Sequence, residues 1–206
     1  MFREAHHFPH TYFKEAKNMN KTKLTFIADV STGLSYRRYL DDDGEDFDVI
    51  LQRSIKKDGI LEDFESVRLN PKHLRPHHFT RPGDILMKMP YPYDVVCVRR
   101  EGLVVSDRIA IIRLKENHHP QFIAHLLTNA HIKKQLYELS STERMPHASL
   151  KQIKELELSL PDYESQVKYA ELLDTINEKI IEDSKVVEYD RRLKEGILNK
   201  LWEENI

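Results

Sequence analysis

A chain of 206 residues, 40% apolar and 32% charged, fits one domain plus an appendage or two small domains, with much of its surface solvated. No apolar run approaches the roughly 18 residues of a membrane span. The opening MFREAHHFPH lacks a secretory apolar segment, and the single cysteine, Cys97, excludes an internal disulfide or a Cys-based zinc site, so a cytoplasmic protein is expected. The net charge of -2 conceals a division, because residues 51–154 carry 18 Lys and Arg against 11 Asp and Glu, whereas residues 155–206 carry 7 against 14. A basic body suits a polyanion and an acidic tail suits a protein partner, although two ordinary solvated faces account for the same numbers.

Residues 1–23 read as a polar leader with a helical turn around Thr11–Lys17. The segment LTFIADVSTGLS (24–35) predicts a short helix or turn entering a loop at Thr32-Gly33, and the acidic run DDDGEDFD (41–48) predicts a surface loop whose like charges need water. Strands are predicted at DVILQRSI (48–55), GDILMKM (83–89), DVVCVRR (94–100) and VVSDRIAIIRL (104–114). Asn70-Pro71, Arg75-Pro76, Arg81-Pro82-Gly83 and Pro90-Tyr91-Pro92 punctuate them. Strands so close, with no long helix between, favour a mixed or antiparallel β body over a doubly wound sheet.

Helical period takes over near residue 120, where Phe122, Leu126, Leu127, Ala130, Ile132 and Leu136 share one face, so a helix should pack on the sheet. SLKQIKELELSLP (149–161) reads as a half-turn followed by a final alternating strand. From Asp162 the chain can stay helical for about 42 residues, roughly 63 Å at ~1.5 Å per residue. That exceeds the estimated 35–40 Å diameter of a compact domain of about 150 residues. Ala170, Leu173, Ile176, Ile180, Val187, Leu193, Ile197, Leu198 and Leu201 form a seam interrupted at Asp183, Ser184 and Asp190. Such a seam needs another helix, either in a second chain or, if the rod folds back, in its own domain.

Enzymatic motifs are missing from the sequence. There is no Gly-x-x-x-x-Gly-Lys phosphate loop and no Asn-Pro-Pro-Tyr methyltransferase motif, which argues against ATP binding or base methylation by this chain. Pro161-Asp162 with Asp183-Ser184-Lys185 imitates a nuclease pattern, but on one helix these carboxylates lie about 31 Å apart and cannot share a metal. The pairs His6-His7, His77-His78 and His118-His119 lack ligand spacing and fit surface or phosphate-contacting roles better than zinc. Cys97, between Val96 and Val98, reads as core packing.

In order, the chain shows STGLS (31–35), QRSIKKDGIL (52–61), RPGDILM (81–87) and HASLKQIKELELSLPDYESQ (147–166). This series resembles the target-recognition domain and conserved helix of type I restriction-modification specificity subunits. Their domains show a Leu-x-Pro-Gly-Asp-Ile-Leu stretch and close on a strand, Leu-Pro and a Gln before the long helix. The resemblance covers about residues 24–205. Two segments depart from it, MKMPYPY (87–93) and SSTERMPHAS (140–149), where the family usually has Gly-containing turns; both lie in recognition loops.

The resemblance implies an α+β fold: a mixed, β-rich target-recognition domain over 24–160, and over 161–206 a long helix forming an antiparallel coiled coil in a dimer. Full-length members carry two such units, so one unit implies a homodimer and, by two-fold symmetry, a bipartite palindromic target. The dimerising residues would be Leu173, Ile176, Ile180, Val187, Ile197 and Leu201. The implied partners are double-stranded DNA, methyltransferase (modification) subunits that bind S-adenosylmethionine, and an ATP-driven restriction subunit. The chain itself is expected to hold no cofactor and no metal and to be no enzyme.

DNA contacts are expected from basic, amide and aromatic side chains on turns. The candidates are Ser35, Tyr36, Arg37 and Arg38; Arg53, Lys56 and Lys57; Lys88, Tyr91 and Tyr93; and Arg144 with His147. Arg37 or Arg38 has the fork that reads guanine, whereas Lys56 and Lys57 suit phosphate. Two other readings remain open. The same fold could serve as an interaction module that pairs with or sequesters another specificity subunit, or the chain could be an RNA-binding adaptor.

Overall fold

The computed structural model describes residues 19–140 and 146–203; the expected turn at 11–17 lies outside them. In chain order the elements are β1 (Asn20–Lys23), α1 (Leu24–Ile27), β2 (Ala28–Thr32), β3 (Leu40–Ile50), β4 (Glu65–Leu69), β5 (Ile85–Lys88), β6 (Val95–Cys97), β7 (Val104–Val105), β8 (Ile109–Leu114), α2 (Pro120–Leu127), α3 (Ala130–Ser140), α4 (Leu150–Lys154), β9 (Glu157–Leu160) and α5 (Tyr163–Glu203). The fold is α+β: sheets followed by a long helix. The described chain forms two units, divided between Ala170 and Glu171.

The central sheet has the order β2-β8-β5-β6 with antiparallel pairing throughout. β5, β6 and β8 are largely continuous apolar runs because both faces are covered, the pattern of a strand with no solvent side, whereas β2 alternates and exposes Asp29. Ile85, Met87, Ala110, Ile112 and Val95 face the core built with Phe122, Ile123, Leu127, Ile132, Leu136 and Ile153. Their alternating neighbours Leu86, Val96, Ile109 and Ile111 pack instead with Ile50, Ile55 and Val105. Burying an aliphatic side chain of this kind stabilises by roughly 1.5–3 kcal/mol, so losing either covering layer would leave one of these rows exposed.

A second sheet, β4-β3-β7, mixes antiparallel β3–β4 pairing with a short parallel contact of Val49 and Ile50 to Val104 and Val105. Here the acidic run corrects its sequence reading: residues 41–48 lie in a strand and not in a loop. Cross-strand cations remove the objection to like charges. Arg68 pairs with Asp46 at 3.4 Å and donates to the Asp42 carbonyl, while Arg100 donates to Asp48 at 2.9 Å. The Ser66 hydroxyl, and after it Arg100, hold the Asp48 carboxyl below its ordinary range. The strand predicted at 48–55 ends at Ile50 and gives way to a 3₁₀ turn at Gln52–Ser54, whose Ser54 hydroxyl donates to the Asp63 carbonyl.

Other boundaries moved for similar local reasons. Residues 24–35 hold a one-turn helix and then a true strand, β2, paired with β8. The single helix expected after residue 120 breaks at Thr128 and Asn129, where the Asn129 carboxamide accepts the His131 N–H and starts α3. β9 does alternate, burying Leu158 and Leu160, and pairs antiparallel with β1.

The motif RPGDIL is a turn that organises the sheet. Gly83 sits at φ +87, a left-handed conformation that disfavours any Cβ. Its N–H donates to the Val98 carbonyl. Asp84 is 3% exposed and accepts from the Arg81 N–H at 2.8 Å and from Arg113 of β8 through two bonds of 2.9 and 3.0 Å. Arg113 also donates to the Phe79 carbonyl, so one guanidinium ties β8 to the chain on both sides of the turn.

The Leu-Pro-Asp…Gln stretch likewise has a physical account. Asp162 caps α5 by accepting the Ser165 N–H at 2.9 Å, and that bond, followed by the Ser165 hydroxyl, lowers the pKa of its carboxyl. Gln166 is 2% exposed; its amide oxygen accepts the His119 N–H at 3.0 Å and its amide nitrogen donates to the Pro161 carbonyl at 2.9 Å. With Ala170 buried beside it, this turn seats the beginning of the helix in the first unit. The helix has 41 residues, about 60 Å at ~1.5 Å each. Beyond Ala170 its apolar side chains are largely uncovered: Ile176, Ile180, Val187, Leu193, Ile197, Leu198 and Leu201 are all exposed, and Leu173 is half-buried.

Candidate nucleic-acid interface

Three turns converge on an open cleft of about 520 Å³ lined by residues 35–38, 51–53 and 106–108. The first follows β2, the second follows β3, and the third is the break between β7 and β8. Their approach depends on Gly33: a Cβ there would lie 2.0 Å from the Val105 carbonyl oxygen and 2.5 Å from that of Ser106. The space is taken instead by backbone, with the Leu34 N–H donating to the Val105 carbonyl at 2.7 Å.

The cleft brings together Ser35, Tyr36, Arg37, Arg38 and Arg53 of the expected contacts. Tyr36 is buried, and its hydroxyl donates to Glu65 at 3.0 Å while accepting from Arg37 Nε at 3.2 Å. Glu65 also accepts from Arg53 at 3.0 Å. The Tyr36 hydroxyl first, and Arg53 next, lower the Glu65 pKa, so this carboxylate stays charged at neutral pH and holds both neighbours in place. On the opposite wall the Ser35 hydroxyl donates to Asp107. Four arginines, Arg37, Arg38, Arg53 and Arg108, therefore face one lining carboxylate, which makes the cleft electropositive and suited to an anionic polymer.

Sequence reasoning missed Gln52, Ser106, Asp107 and Arg108. The signal was present as Ser-Asp, a turn-forming pair, inside a run read as one strand from 104 to 114. The apolar residues on either side concealed it.

The remaining candidates lie elsewhere. Lys56 is held by Asp63 and lies 3.7 Å from Glu62, whereas Lys57 is exposed with no ion pair among the described residues. Lys88 pairs at 2.9 Å with Asp94, which is 5% exposed and also faces Lys133 at 3.6 Å. Tyr93 is fully buried in the main core, while Tyr91 is exposed and meets the rings of Tyr93 and Tyr137 edge-on at 5.7 Å. His147 forms a bridge with Pro90 beside this turn, and Arg144 lies outside the described residues. Among the described residues no cluster of three or more His, Cys, Asp or Glu is placed to hold a metal ion, and no helix is long and apolar enough to cross a membrane.

Comparison with solved structures places this fold among known ones. The HsdS subunit from Thermoanaerobacter tengcongensis superposes with a TM-score of 0.65 at 18% identity, over 81% of this chain and 44% of that one. A chain from a structure of the type I R-M system, described for its complex assembly and conformational transition, gives 0.60 at 17%, over 80% and 40%. The type I restriction-modification S subunit from M. genitalium gives 0.52 at 16%, over 84% and 43%. The chain thus spans less than half the length of these neighbours. A search of curated proteins finds no match.

The family described as type I restriction modification DNA specificity domain matches residues 83–187. That span opens on Gly83 and Asp84 of the sheet-organising turn and ends within α5. With half of its residues covered by this match, the chain belongs to the type I restriction-modification DNA specificity domain family.

Proposed function

We propose that this chain is the cytoplasmic, non-catalytic DNA reader of a type I restriction-modification complex, working as a homodimer paired through antiparallel α5 helices. Two identical readers then meet two half-sites of a split, symmetric target. Methyltransferase subunits carrying S-adenosylmethionine and an ATP-driven restriction subunit act where the readers settle. The observation that carries this reading is the arginine-rich cleft on the body of a family member. The domains run as residues 24–160 for the reader and 161–206 for the spacer.

The test is methylation. When the chain is co-expressed with type I methyltransferase subunits, sequencing of modified bases is expected to show a bipartite palindrome that disappears when this chain is omitted. Methylation at the same positions without it would overturn the proposal.

Structure also separates two lysines that sequence treats alike. Lys57→Ala is expected to weaken binding to all duplexes equally and to flatten the salt dependence by about one unit of slope, as for one lost phosphate contact. Lys56→Ala should leave the slope unchanged, because that ammonium is already engaged by Asp63. Filter binding across a salt series distinguishes them.

A further inference from the structure

The polar side chains of the cleft fall into two groups. Arg37 is tied to the Tyr36 hydroxyl, and Arg53 to Glu65, which Tyr36 also engages. Arg38, Gln52 and Arg108 have no side-chain hydrogen bond or ion pair among the described residues, and each comes from a different one of the three turns. Arg38 and Arg108 are exposed and Gln52 is half-buried.

Free donors in this arrangement fit base edges better than phosphates. Phosphate oxygens accept from amides as well as from cations, but here the Asp107 carboxylate shares the lining with the free donors. That carboxylate repels phosphate from the Ser106–Arg108 wall, leaving the sugar-phosphate backbone to the rim. Gln matches the N6 and N7 edge of adenine with two bonds, and Arg matches O6 and N7 of guanine with two.

We propose that Gln52 reads an adenine and that Arg38 and Arg108 each read a guanine in the major groove of the half-site, while Arg37 and Arg53 are positioning residues. This rests on the DNA-reading function proposed above. Each half-site accordingly contains at least one A·T and two G·C pairs that are specified through this cleft.

Selection by the 206-residue chain from a randomised duplex library tests it. The wild type is expected to enrich a motif containing both purines. Gln52→Ala and Arg108→Ala should each make one position degenerate, with discrimination there falling by about 5- to 150-fold, equivalent to the roughly 1–3 kcal/mol of a bidentate base contact. Affinity for duplexes lacking the motif should change less than about threefold, because the phosphate contacts that supply non-specific binding stay in place. Gln52→Glu should move the preference at its position from A·T towards C·G, since a carboxylate accepts from cytosine N4. An unchanged motif in the variants, with either uniform loss or no loss of affinity, overturns the assignment of readers. Failure of the wild type to enrich any motif would instead overturn the DNA-reading function itself.

Discussion

Asp84→Ala is expected to lower the unfolding free energy by roughly 3–5 kcal/mol, the cost of leaving a buried charge without its partner. The Asp84 side chain is 3% exposed and that of Arg113 is 20% exposed, so water cannot readily replace the two bonds between them. The substitution strands the guanidinium with only the Phe79 carbonyl and also removes the acceptor for the Arg81 N–H. Domains of this size commonly have only about 5–15 kcal/mol of stability, so the loss is a large share of the total. Asp84→Asn keeps an acceptor for Arg81 and one for Arg113 and should fall between. Urea denaturation at neutral pH measures both. A deficit below about 1 kcal/mol for alanine would put this pair in the class of surface bridges and deprive the Gly-Asp-Ile-Leu turn of its structural reason.

The second large effect concerns the proposed pairing of rods. Ile180 and Val187 are 48% and 50% exposed, seven residues apart, and so occupy the same position two turns on along one side of α5. If that side meets a second copy, Ile180→Asp with Val187→Asp places four carboxylates in an apolar seam, each costing several kcal/mol, which exceeds what a coiled coil of this length can absorb. Sedimentation equilibrium should then report the monomer mass for the double variant and twice that mass for the parent. Circular dichroism should retain the sheet signal, because neither residue belongs to a core cluster of the first unit. A parent chain that is already monomeric, or a variant that remains dimeric, would remove the seam from the proposal.

Much of this architecture was legible before any coordinates. Apolar runs such as Ile85–Met87 and Ile109–Ile112 marked strands, and Leu160-Pro161-Asp162 marked the start of the long helix. What escaped depends on partners distant in sequence. β4 has only one fully buried residue, Leu69, and became a strand because Arg68 and Ser66 neutralise or bond the acidic β3 beside it. No local pattern records that pairing. The candidate site shows the same limit. Residues 35–38 and Arg53 could be nominated from glycine turns and charge, but Arg108 reaches them only through the three-residue break that separates β7 from β8. Tyr93 and Lys88 looked like exposed turn residues in sequence, yet a core and a buried aspartate absorb them.

Gly33 gives the cleft a calliper whose setting is a single hydrogen atom. The two jaws carrying Arg38 and Arg108 touch backbone to backbone at that point. Their aperture is thus decided by a residue that never faces the groove. Replacing it with anything larger would prise the jaws apart and retune every contact made between them at once, whereas changes at the jaw tips alter one contact at a time. If the cleft reads the target as proposed, new preferences would accumulate tip by tip while Gly33 stays the same.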